Sequence, residues 1–422
     1  MRNNFRKIIT VPGRLLRIIR QEGISGILVR LYYPKRTSDI TGFTPPCTLP
    51  LHLSGKTGSI ANELTHALNI LGIKGNLHCK SSTLHIDPCT QESFNIGDAL
   101  LFTNRTAVNQ FAHKLKQLPA TSRCNGIAVL VPDTKSLETI RACGIMLSKI
   151  FIMPSLLSLP AKPQDPYKDL LRDLAGDLAR WLIAAGSISA KEVSPDLFPA
   201  LRDLSPGTRI CLSLPETVKR REHFISQEQF GFRIFNGIRR SPGWKGCGAS
   251  YAMIAQAAIA QNAAPLLVCE DDILPPDGFA RHLENVESYL SNTEWDVFSG
   301  LLTNISDDYD IHKVEHYAGL TFVHVNFTTG MVFNIYNQRA LERLAIWSPK
   351  DNDIQSNAVD VWLGSIPGLR AITTIPFLAG HNPDLDSTVF GFSSRRYKNM
   401  IQASEKRLMS RIAKINSVAQ IG

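Results

Sequence analysis

The sequence predicts a mixed α/β protein with two domains. Strand and helix signals alternate from about residue 49 onward, and a second series of such signals begins at residue 209 after a helical stretch. At 422 residues the chain is too long for one core of ordinary size, and its 44% hydrophobic and 20% charged residues are typical of a globular protein. The predicted organisation is a basic amphipathic segment at 1–44, a smaller α/β domain at 45–165, a helical linker at 166–205, a larger α/β domain at 206–395 and a basic helix at 396–422.

The first 36 residues carry most of the net charge. They contain nine Lys or Arg residues and one acid, Glu22, which gives +8 of the chain's total of +9. Apolar residues between these cations give an apolar helical face, as in segments that lie on an anionic membrane surface. A helix docked on the protein's own core is the alternative, and both interpretations apply to the helix at 396–422 as well. Nucleic acid is not an expected partner, because a binder would carry basic surface on its folded domain too.

The expected location is cytoplasmic, peripheral on the inner face of the cytoplasmic membrane if the basic segment binds lipid. No apolar run reaches the roughly 18–20 residues of a membrane-spanning helix. Arg14, Arg17 and Arg20 interrupt each stretch that could serve as a secretion signal. The eight cysteines include no C-x-x-C pair and several lie in apolar runs, which indicates reduced thiols.

The 45–165 domain alternates between strand and helix signals. This order predicts a small doubly wound sheet of parallel strands, with Gly72 ending the first helix. No ligand is indicated, because Gly55-Lys56-Thr57-Gly58 lacks the spacing of a phosphate-binding loop and is interpreted as a turn. The predicted strands and strand-like apolar runs are 49–53, 76–79, 99–102, 126–132 and 149–153, and the predicted helices are 61–71, 107–118 and 135–142.

Residues 167–185 have apolar side chains at helical spacing and predict a helix packed between the two domains. The second domain then begins with a strand at 209–214 and a basic helix start at Lys219-Arg220-Arg221.

Three acids follow a strongly apolar segment of the second domain. Residues 266–269 predict a buried strand, and Glu270, Asp271 and Asp272 stand at its carboxyl end, where α/β sheets bind ligands. Adjacent carboxylates repel one another unless a cation holds them, so this pattern predicts a site for Mg²⁺ or Mn²⁺ that arrives with phosphate oxygens. The alternative is a solvated acidic turn that opens a helix at Pro275-Pro276-Asp277.

The second domain resembles glycosyltransferase family 25, which includes lipopolysaccharide and collagen galactosyltransferases. The order and spacing of several blocks match over about residues 207–395. The resemblance implies a GT-A nucleotide-sugar-binding domain with a mixed sheet. One departure is Tyr251 after Ser250, where the family usually has Ser-His. The blocks are ICLSLPETVKRREHF, FRIFNGIRRSPGWKGCGASYAMIAQAAIA, PLLVCEDDILPPDGF, EWDVFSG, TTGMVFNIYNQRALERL, AVDVWL and IPFLAGHNPDLDST.

The first domain has only a loose resemblance. Its strand and helix order, with CGIMLSKIFIMP at 143–154, is similar to one Rossmann-like lobe of the two-lobed GT-B glycosyltransferases. No matching second lobe follows, so the role of this domain is left open.

The donor and metal sites are expected around the acidic motif. Asp272 is the first metal ligand, with Glu270 reaching the metal through water or contacting the ribose, and Asp271 on the donor side or facing the protein. His381 lies where many GT-A transferases contribute a late metal or phosphate ligand, although a lone loop histidine is more often neither. The glycines near 246 permit close approach of a ligand. The other expected donor-side residues are Leu214, Arg220, Arg221, Gly246 and Ser250, with solvent-exposed helix cations as the alternative for the two arginines.

The resemblance implies inversion, which needs a base for the acceptor hydroxyl. Asp360 is the first candidate, because it lies in an otherwise apolar segment where a carboxylate is partly desolvated. A helix N-cap or a salt-bridged structural acid is the alternative. Thr328, Thr329 and Gly330 resemble the family's acceptor-side loop.

These features predict an inverting, metal-dependent glycosyltransferase. It is expected to move a hexose, with galactose from UDP-galactose as the leading case, onto a glycan or lipid-linked saccharide in lipopolysaccharide or envelope polysaccharide biosynthesis. Two alternatives stay open: a metal-dependent phosphohydrolase, and a protein that binds nucleotide sugar or glycan without turnover.

Overall fold

A computed structural model gives the fold of the chain. It describes residues 40, 44–49, 51–55, 59–73, 82–88, 94–117, 126–158, 167–227, 230–305, 309–389 and 394–419. The predicted membrane-surface segment lies outside these residues except for Ile40 and Thr44, and so does the predicted strand at 76–79. None of the helices in the described ranges is long and apolar enough to cross a membrane.

The first domain is built on five parallel strands. They are β1 (His52–Gly55), β2 (Thr83–Ile86), β3 (Ala99–Leu101), β4 (Ala128–Val131) and β5 (Ile150–Ile152), and the helices are α1 (Ser59–Ile70), α2 (Arg105–Gln117) and α3 (Thr134–Arg141). Every residue of β3, β4 and β5 is buried, as expected for a parallel sheet that is covered on both faces.

The side chains of β3 alternate between two hydrophobic cores, one on each face of the sheet. Successive side chains point to opposite faces, so Leu100 belongs to the core formed with α2 and α3, while Leu101 belongs to the core formed with α1. Gly72 has a φ of +71° and follows the end of α1, as predicted.

The order of the strands differs from the sequence prediction. Across the sheet the strands lie in the order β1-β2-β3-β4-β5, which is also their order in the chain. The predicted doubly wound order is therefore wrong, and these five strands lack the reversal that creates a ligand crevice.

The second domain is built on a mixed sheet of eight strands. Two further short strands, β9 and β15, pair separately. In chain order the strands are β6 (Arg209–Ser213), β7 (Arg233–Asn236), β8 (Leu266–Glu270), β9 (Ile273–Leu274), β10 (Val297–Ser299), β11 (Ile311–Tyr317), β12 (Leu320–Val325), β13 (Phe333–Tyr336), β14 (Ala371–Ile375) and β15 (Gly380–His381). The remaining helices are α4 (Tyr167–Ala184), α5 (Val218–Gln227), α6 (Gly243–Ala260), α7 (Phe279–Leu290), α8 (Gln338–Ala345), α9 (Ile354–Asn357), α10 (Val359–Gly364) and α11 (Arg395–Ala419).

Strand β8 has neighbours on both sides, which explains its apolar sequence. The sheet order is β11-β12-β14-β10-β13-β8-β6-β7, with β8 parallel to β6 and antiparallel to β13. The first four residues of β8 are buried and the last, Glu270, is half-buried. The predicted buried strand that ends in acids is confirmed, and so is the mixed α/β class of the chain.

Helix α4 joins the two domains, as predicted. Arg180 is 1% exposed and donates hydrogen bonds to the carboxylate of Glu216 (3.0 and 3.1 Å) and to the carbonyl oxygens of Ile152 and Gly237 (3.1 Å each). Glu216 also accepts a hydrogen bond from the Ile152 amide (3.1 Å). A buried ion pair thus links β5 of the first domain to the segments that follow β6 and β7.

The C-terminal helix α11 packs on the second domain. Leu408 is fully buried, Glu405 accepts a hydrogen bond from the Phe377 amide (3.0 Å), and Arg407 donates to the Ile305 carbonyl (2.8 Å). The docked alternative therefore describes the first part of this helix, whereas residues 413–417 are exposed.

Candidate functional site

The three acids at the end of β8 have different environments, and Asp271 faces the protein. Its carboxylate accepts a hydrogen bond from Ser213 Oγ (2.8 Å) and pairs with Arg220 at 2.6 Å. Burial raises the pKa of Asp271, and Arg220 opposes that shift. Both carboxylate oxygens are engaged, so Asp271 holds Arg220 in place and does not offer a free oxygen to a donor.

Asp272 has one engaged and one unpartnered oxygen. Its Oδ2 lies 2.9 Å from Arg220 Nη2 and 3.0 Å from His381 Nε2. Burial alone would raise the pKa of Asp272, but Arg220 and His381 hold it well below its ordinary value. The other oxygen, Oδ1, is buried and has no hydrogen-bond partner among the described residues. Asp272 is therefore an ionised carboxylate with a free lone-pair oxygen.

Glu270 is the acid that faces the open space. Burial raises the pKa of Glu270 to about 8, and the negative charge of Asp272 adds to this shift. The Cys247 thiol lies 3.8 Å from Glu270 Oε1 and donates a long hydrogen bond to it. Arg220 only partly compensates the charge of Glu270, because its strongest contacts are to the other two acids. A cationic ligand would be stabilised here.

The two arginines at the start of α5 have different roles. Arg220 is buried, and besides the two acids it donates to the Asp386 carbonyl oxygen (3.1 Å). This geometry excludes the solvent-exposed alternative for Arg220. Arg221 instead donates to Asn236 Oδ1 (2.8 Å) on β7 and lines neither of the cavities described below. The expectation of a donor-side role for Arg221 is not met, because one residue along a helix turns the side chain by about 100° and directs Arg221 toward β7.

His381 reaches the acids through β15. This strand pairs antiparallel with β9, which begins directly after Asp272, and the register sets His381 opposite Ile273. The Asn382 amide donates to the Asp272 carbonyl oxygen (2.8 Å), which fixes the backbone on both sides. The predicted proximity of His381 and Asp272 is thus present, although they are 109 residues apart in the sequence.

Asp360 lies in the first turn of α10 and lines the same cavity as Glu270 and Asp272. Its Oδ2 accepts a hydrogen bond from the Gly330 amide (3.2 Å) and its Oδ1 accepts one from the Val361 amide (2.9 Å). The N-cap of α10 is Ala358, and none of the described cations forms an ion pair with Asp360. Neither alternative for Asp360, the N-cap or the salt-bridged acid, fits this geometry.

The expected acceptor-side loop is only partly at the cavity. Thr329 and Gly330 line it, and Thr329 Oγ1 donates to the Asn304 carbonyl oxygen (2.7 Å). Thr328 is 3% exposed and its Oγ1 lies 2.7 Å from Ser299 Oγ, so this hydroxyl belongs to the core. The expectation for Thr328 is therefore wrong.

The glycines of the 243–248 region serve packing between parts of the protein. Helix α6 begins at Gly243, so Gly246 lies inside its first turn. A Cβ at Gly246 would lie 2.5 Å from the Ile238 carbonyl oxygen, so this glycine permits close contact with the protein's own backbone. Ser250 Oγ donates to the Gly246 carbonyl and accepts from the Ile238 amide (2.8 Å each). The predicted close approach of a ligand at Gly246 is not what the structure shows.

A cleft of about 470 Å³ brings the candidate groups together. Such a volume lies within the usual range of small-molecule sites. Its walls include Arg220, Glu270, Asp272, Asp360 and His381. A smaller adjoining cavity is lined by residues that follow β6, including Leu214, and by Ser250. The two cavities share Arg220, Cys247, Glu270, Thr388 and Val389.

Sequence reasoning missed several residues of the cleft. Tyr397 and Met400 come from α11, which was interpreted as a separate basic tail. Cys247 lines both cavities, and burial raises the pKa of its thiol well above the ordinary value. Tyr251, at the position of the family's histidine, is 1% exposed and donates to the Met331 carbonyl (2.8 Å), so it supports the cleft wall from behind. The aromatic Tyr397 within a basic helix was the one available signal.

The residues that could hold a metal are Asp272, Glu270 and His381. Among the residues that the structure describes, no group of three or more His, Cys, Asp or Glu side chains is arranged as a metal site. Two buried atoms among the described residues nevertheless have no hydrogen-bond partner and could each contact a ligand, namely Asp272 Oδ1 and His381 Nδ1. Mg²⁺ and Mn²⁺ commonly take one or two protein carboxylates and complete their coordination with phosphate and water.

No protein-family model matches the chain, and no curated protein sequence matches it.

Proposed function

We propose that the chain is an inverting glycosyltransferase that uses Mn²⁺ or Mg²⁺ and a nucleotide-sugar donor. The main support is that one cleft of about 470 Å³ is lined by Glu270, Asp272 and Asp360. One carboxylate oxygen of Asp272 has no hydrogen-bond partner among the described residues. The cleft has two carboxylates that are held by different groups: Arg220 and His381 hold Asp272, and two backbone amides hold Asp360. This arrangement suits a reaction that stabilises a leaving group on one side and activates a nucleophile on the other.

The donor side is proposed around Asp272. Asp272 Oδ1 and the carboxylate of Glu270 could supply the one or two oxygen ligands that a hard divalent ion takes from a protein, with diphosphate oxygens as further ligands. His381 is also a candidate ligand, although its Nε2 already contacts Asp272 Oδ2 (3.0 Å). When bound, such an ion neutralises the charge that develops on the leaving diphosphate. Arg220 keeps Asp272 ionised and fixes its orientation, because it pairs with Asp272 and Asp271 at once.

Asp360 is proposed as the general base. It would accept the proton of the acceptor hydroxyl as that oxygen forms a bond to the anomeric carbon and the bond to the diphosphate breaks. The two backbone amides of Gly330 and Val361 fix the carboxylate without protonating it. Asp360 lines the same cleft as Glu270 and Asp272. Inversion is part of this proposal because the sequence resemblance implies it.

The acceptor is proposed to be a glycan or a lipid-linked saccharide of envelope polysaccharide. Apolar side chains from α9, α10 and α11 line the cleft beside Asp360, including Ile354, Val361 and Met400. Val361 is 42% exposed, so an acceptor with an apolar portion would bury it. Galactose, UDP and a cytoplasmic, membrane-peripheral location follow from the sequence resemblance and the basic first 36 residues, and they form part of this proposal.

The test is a melting-temperature and turnover screen with UDP-, GDP- and CMP-sugars, with and without Mn²⁺. Native chain is compared with Asp272→Asn and with Asp277→Asn, a matched change at an exposed acid outside the cleft. We expect one nucleotide sugar to raise the melting temperature in a Mn²⁺-dependent way, with the effect lost only in Asp272→Asn.

The products separate the proposal from its alternatives. Sugar transfer to added glycan or lipid-linked acceptors supports the proposal. Nucleotide-sugar hydrolysis that acceptors do not change would indicate a phosphohydrolase. Binding without turnover, unaffected by Asp360→Asn, would indicate a protein that only binds its ligand.

A further inference from the structure

The smaller cavity lies at the boundary between the two domains. The segments after β6 and β7 line it on the side of the second domain, with Leu214 and Thr217 among their residues. Ile40 lines it from the other side and belongs to the core of the first domain, where it clusters with the side chains of α2 and α3. The cavity meets the large cleft at Glu270. A ligand that contacts the acids after β8 can therefore extend toward the first domain.

Three guanidinium groups line this cavity, and two of them are occupied by the protein. Arg220 pairs with Asp271 and Asp272. Arg239 is 3% exposed and donates to the carbonyl oxygens of Leu147 (3.2 Å), Ser148 (2.9 Å) and Ile150 (3.0 Å), while its guanidinium stacks 3.7 Å from the Phe151 ring centroid. Arg239 is thus anchored inside the first domain.

Arg240 is the third, and it has no such partner. It is half-buried and lines the cavity, yet within the described residues it forms neither an ion pair nor a hydrogen bond. Its backbone position is set by the anchoring of Arg239, its direct neighbour. A guanidinium held beside a cavity without a protein acceptor is suited to bind an anion from solution, and phosphate oxygens match its planar donor geometry.

We propose that Arg240 binds the diphosphate of the nucleotide-sugar donor, on the side away from the acids after β8. This inference rests on the proposed function and extends it to the role of the first domain. Among the residues that the structure describes, that domain contributes no acid or base to the lining of the cleft. It positions Arg240 through Arg239 and closes the nucleotide end of the site with Ile40.

The experiment is isothermal titration calorimetry of the full chain with inorganic diphosphate and with UDP, in the presence of Mg²⁺. Native chain is compared with Arg240→Ala and with Lys219→Ala, which removes the same charge from an exposed position of α5 outside both cavities. Loss of a charge-assisted contact predicts roughly 10- to 100-fold weaker binding of both ligands by Arg240→Ala. Lys219→Ala should bind within about twofold of the native chain, a screened surface effect. Melting temperatures of all three should agree within about 2 °C, since the Arg240 side chain forms no ion pair or hydrogen bond with the described residues.

Two results would overturn the inference, and they differ in what they say of the proposed function. If native chain and Arg240→Ala bind both ligands equally, Arg240 is not the diphosphate cation, while the transferase proposal stands. If native chain binds neither inorganic diphosphate nor UDP, the inference and the UDP-sugar donor both fall.

Discussion

Replacing Arg220 by methionine tests the electrostatic design of the site. Arg220 contacts Asp271 at 2.6 Å and Asp272 at 2.9 Å, and both acids are at most 3% exposed. Arg220→Met removes the positive charge and leaves two adjacent carboxylates buried. Breaking a buried ion pair on one side costs about 3–5 kcal/mol of unfolding free energy, because the remaining charge is uncompensated. We expect a loss in this range at pH 8, and a smaller loss at pH 5, where the acids can take up protons.

The assay is urea unfolding of the full chain, followed by tryptophan fluorescence at both pH values. Arg221→Met is the matched control, because Arg221 donates to the neutral side chain of Asn236 and forms no ion pair with the described acids. The double change Arg220→Met with Asp271→Asn should recover part of the loss, because it removes a buried charge together with its partner. A loss below about 1 kcal/mol in Arg220→Met, or a loss that does not change with pH, would refute the reasoning.

Two further predictions concern single carboxylates. Asp360→Asn should lower kcat by roughly 10²- to 10⁴-fold, because the general base is lost, while the melting temperature and the donor affinity stay unchanged. Steady-state kinetics and calorimetry measure these quantities. Activity within about tenfold of native would show that Asp360 is not the base. Burial raises the pKa of Asp177 from 3.8 to about 6, although Arg180 and two hydrogen bonds from Ser155 oppose the shift. The folded state therefore holds the proton more tightly, and native stability should fall relative to Asp177→Asn by about 3 kcal/mol as the pH rises from 4 to 7. A pH-independent difference in urea unfolding would contradict this.

Local sequence patterns identified the chemical groups of the site but not their orientation. The apolar run before Glu270 predicted a buried strand with acids at its end, because burial on both faces leaves a continuous hydrophobic signal. Asp360 was found in the same way, as an acid within an apolar segment. By contrast, the pattern Lys219-Arg220-Arg221 gave no means to decide which arginine turns inward. That choice depends on how α5 packs, and one residue changes the direction of a helical side chain by about 100°.

Tertiary contacts account for the other errors. A Cβ at Gly246 would lie 2.5 Å from the carbonyl oxygen of Ile238 in the loop before α6, a close contact that the spacing of glycines does not reveal. The Thr328-Thr329-Gly330 segment has the composition of a sugar-binding loop. However, the Thr328 hydroxyl forms a hydrogen bond with Ser299 in the core. The strand order of the first domain was equally hidden, since β1 to β5 alternate with helices in either topology.

The join between the domains bears on what the first domain does. Arg180 and Arg239 both lie close enough to Glu216 to lower its pKa, although burial opposes them. Each arginine also donates to a main-chain carbonyl of β5, at Ile152 or Ile150. Unpaired buried charges are costly, so these contacts favour one relative placement of the two sheets over others. The segments fixed in this way follow β6 and β7 and line the smaller cavity. The five-stranded sheet can therefore influence the smaller cavity by fixing the position of the segments that line it.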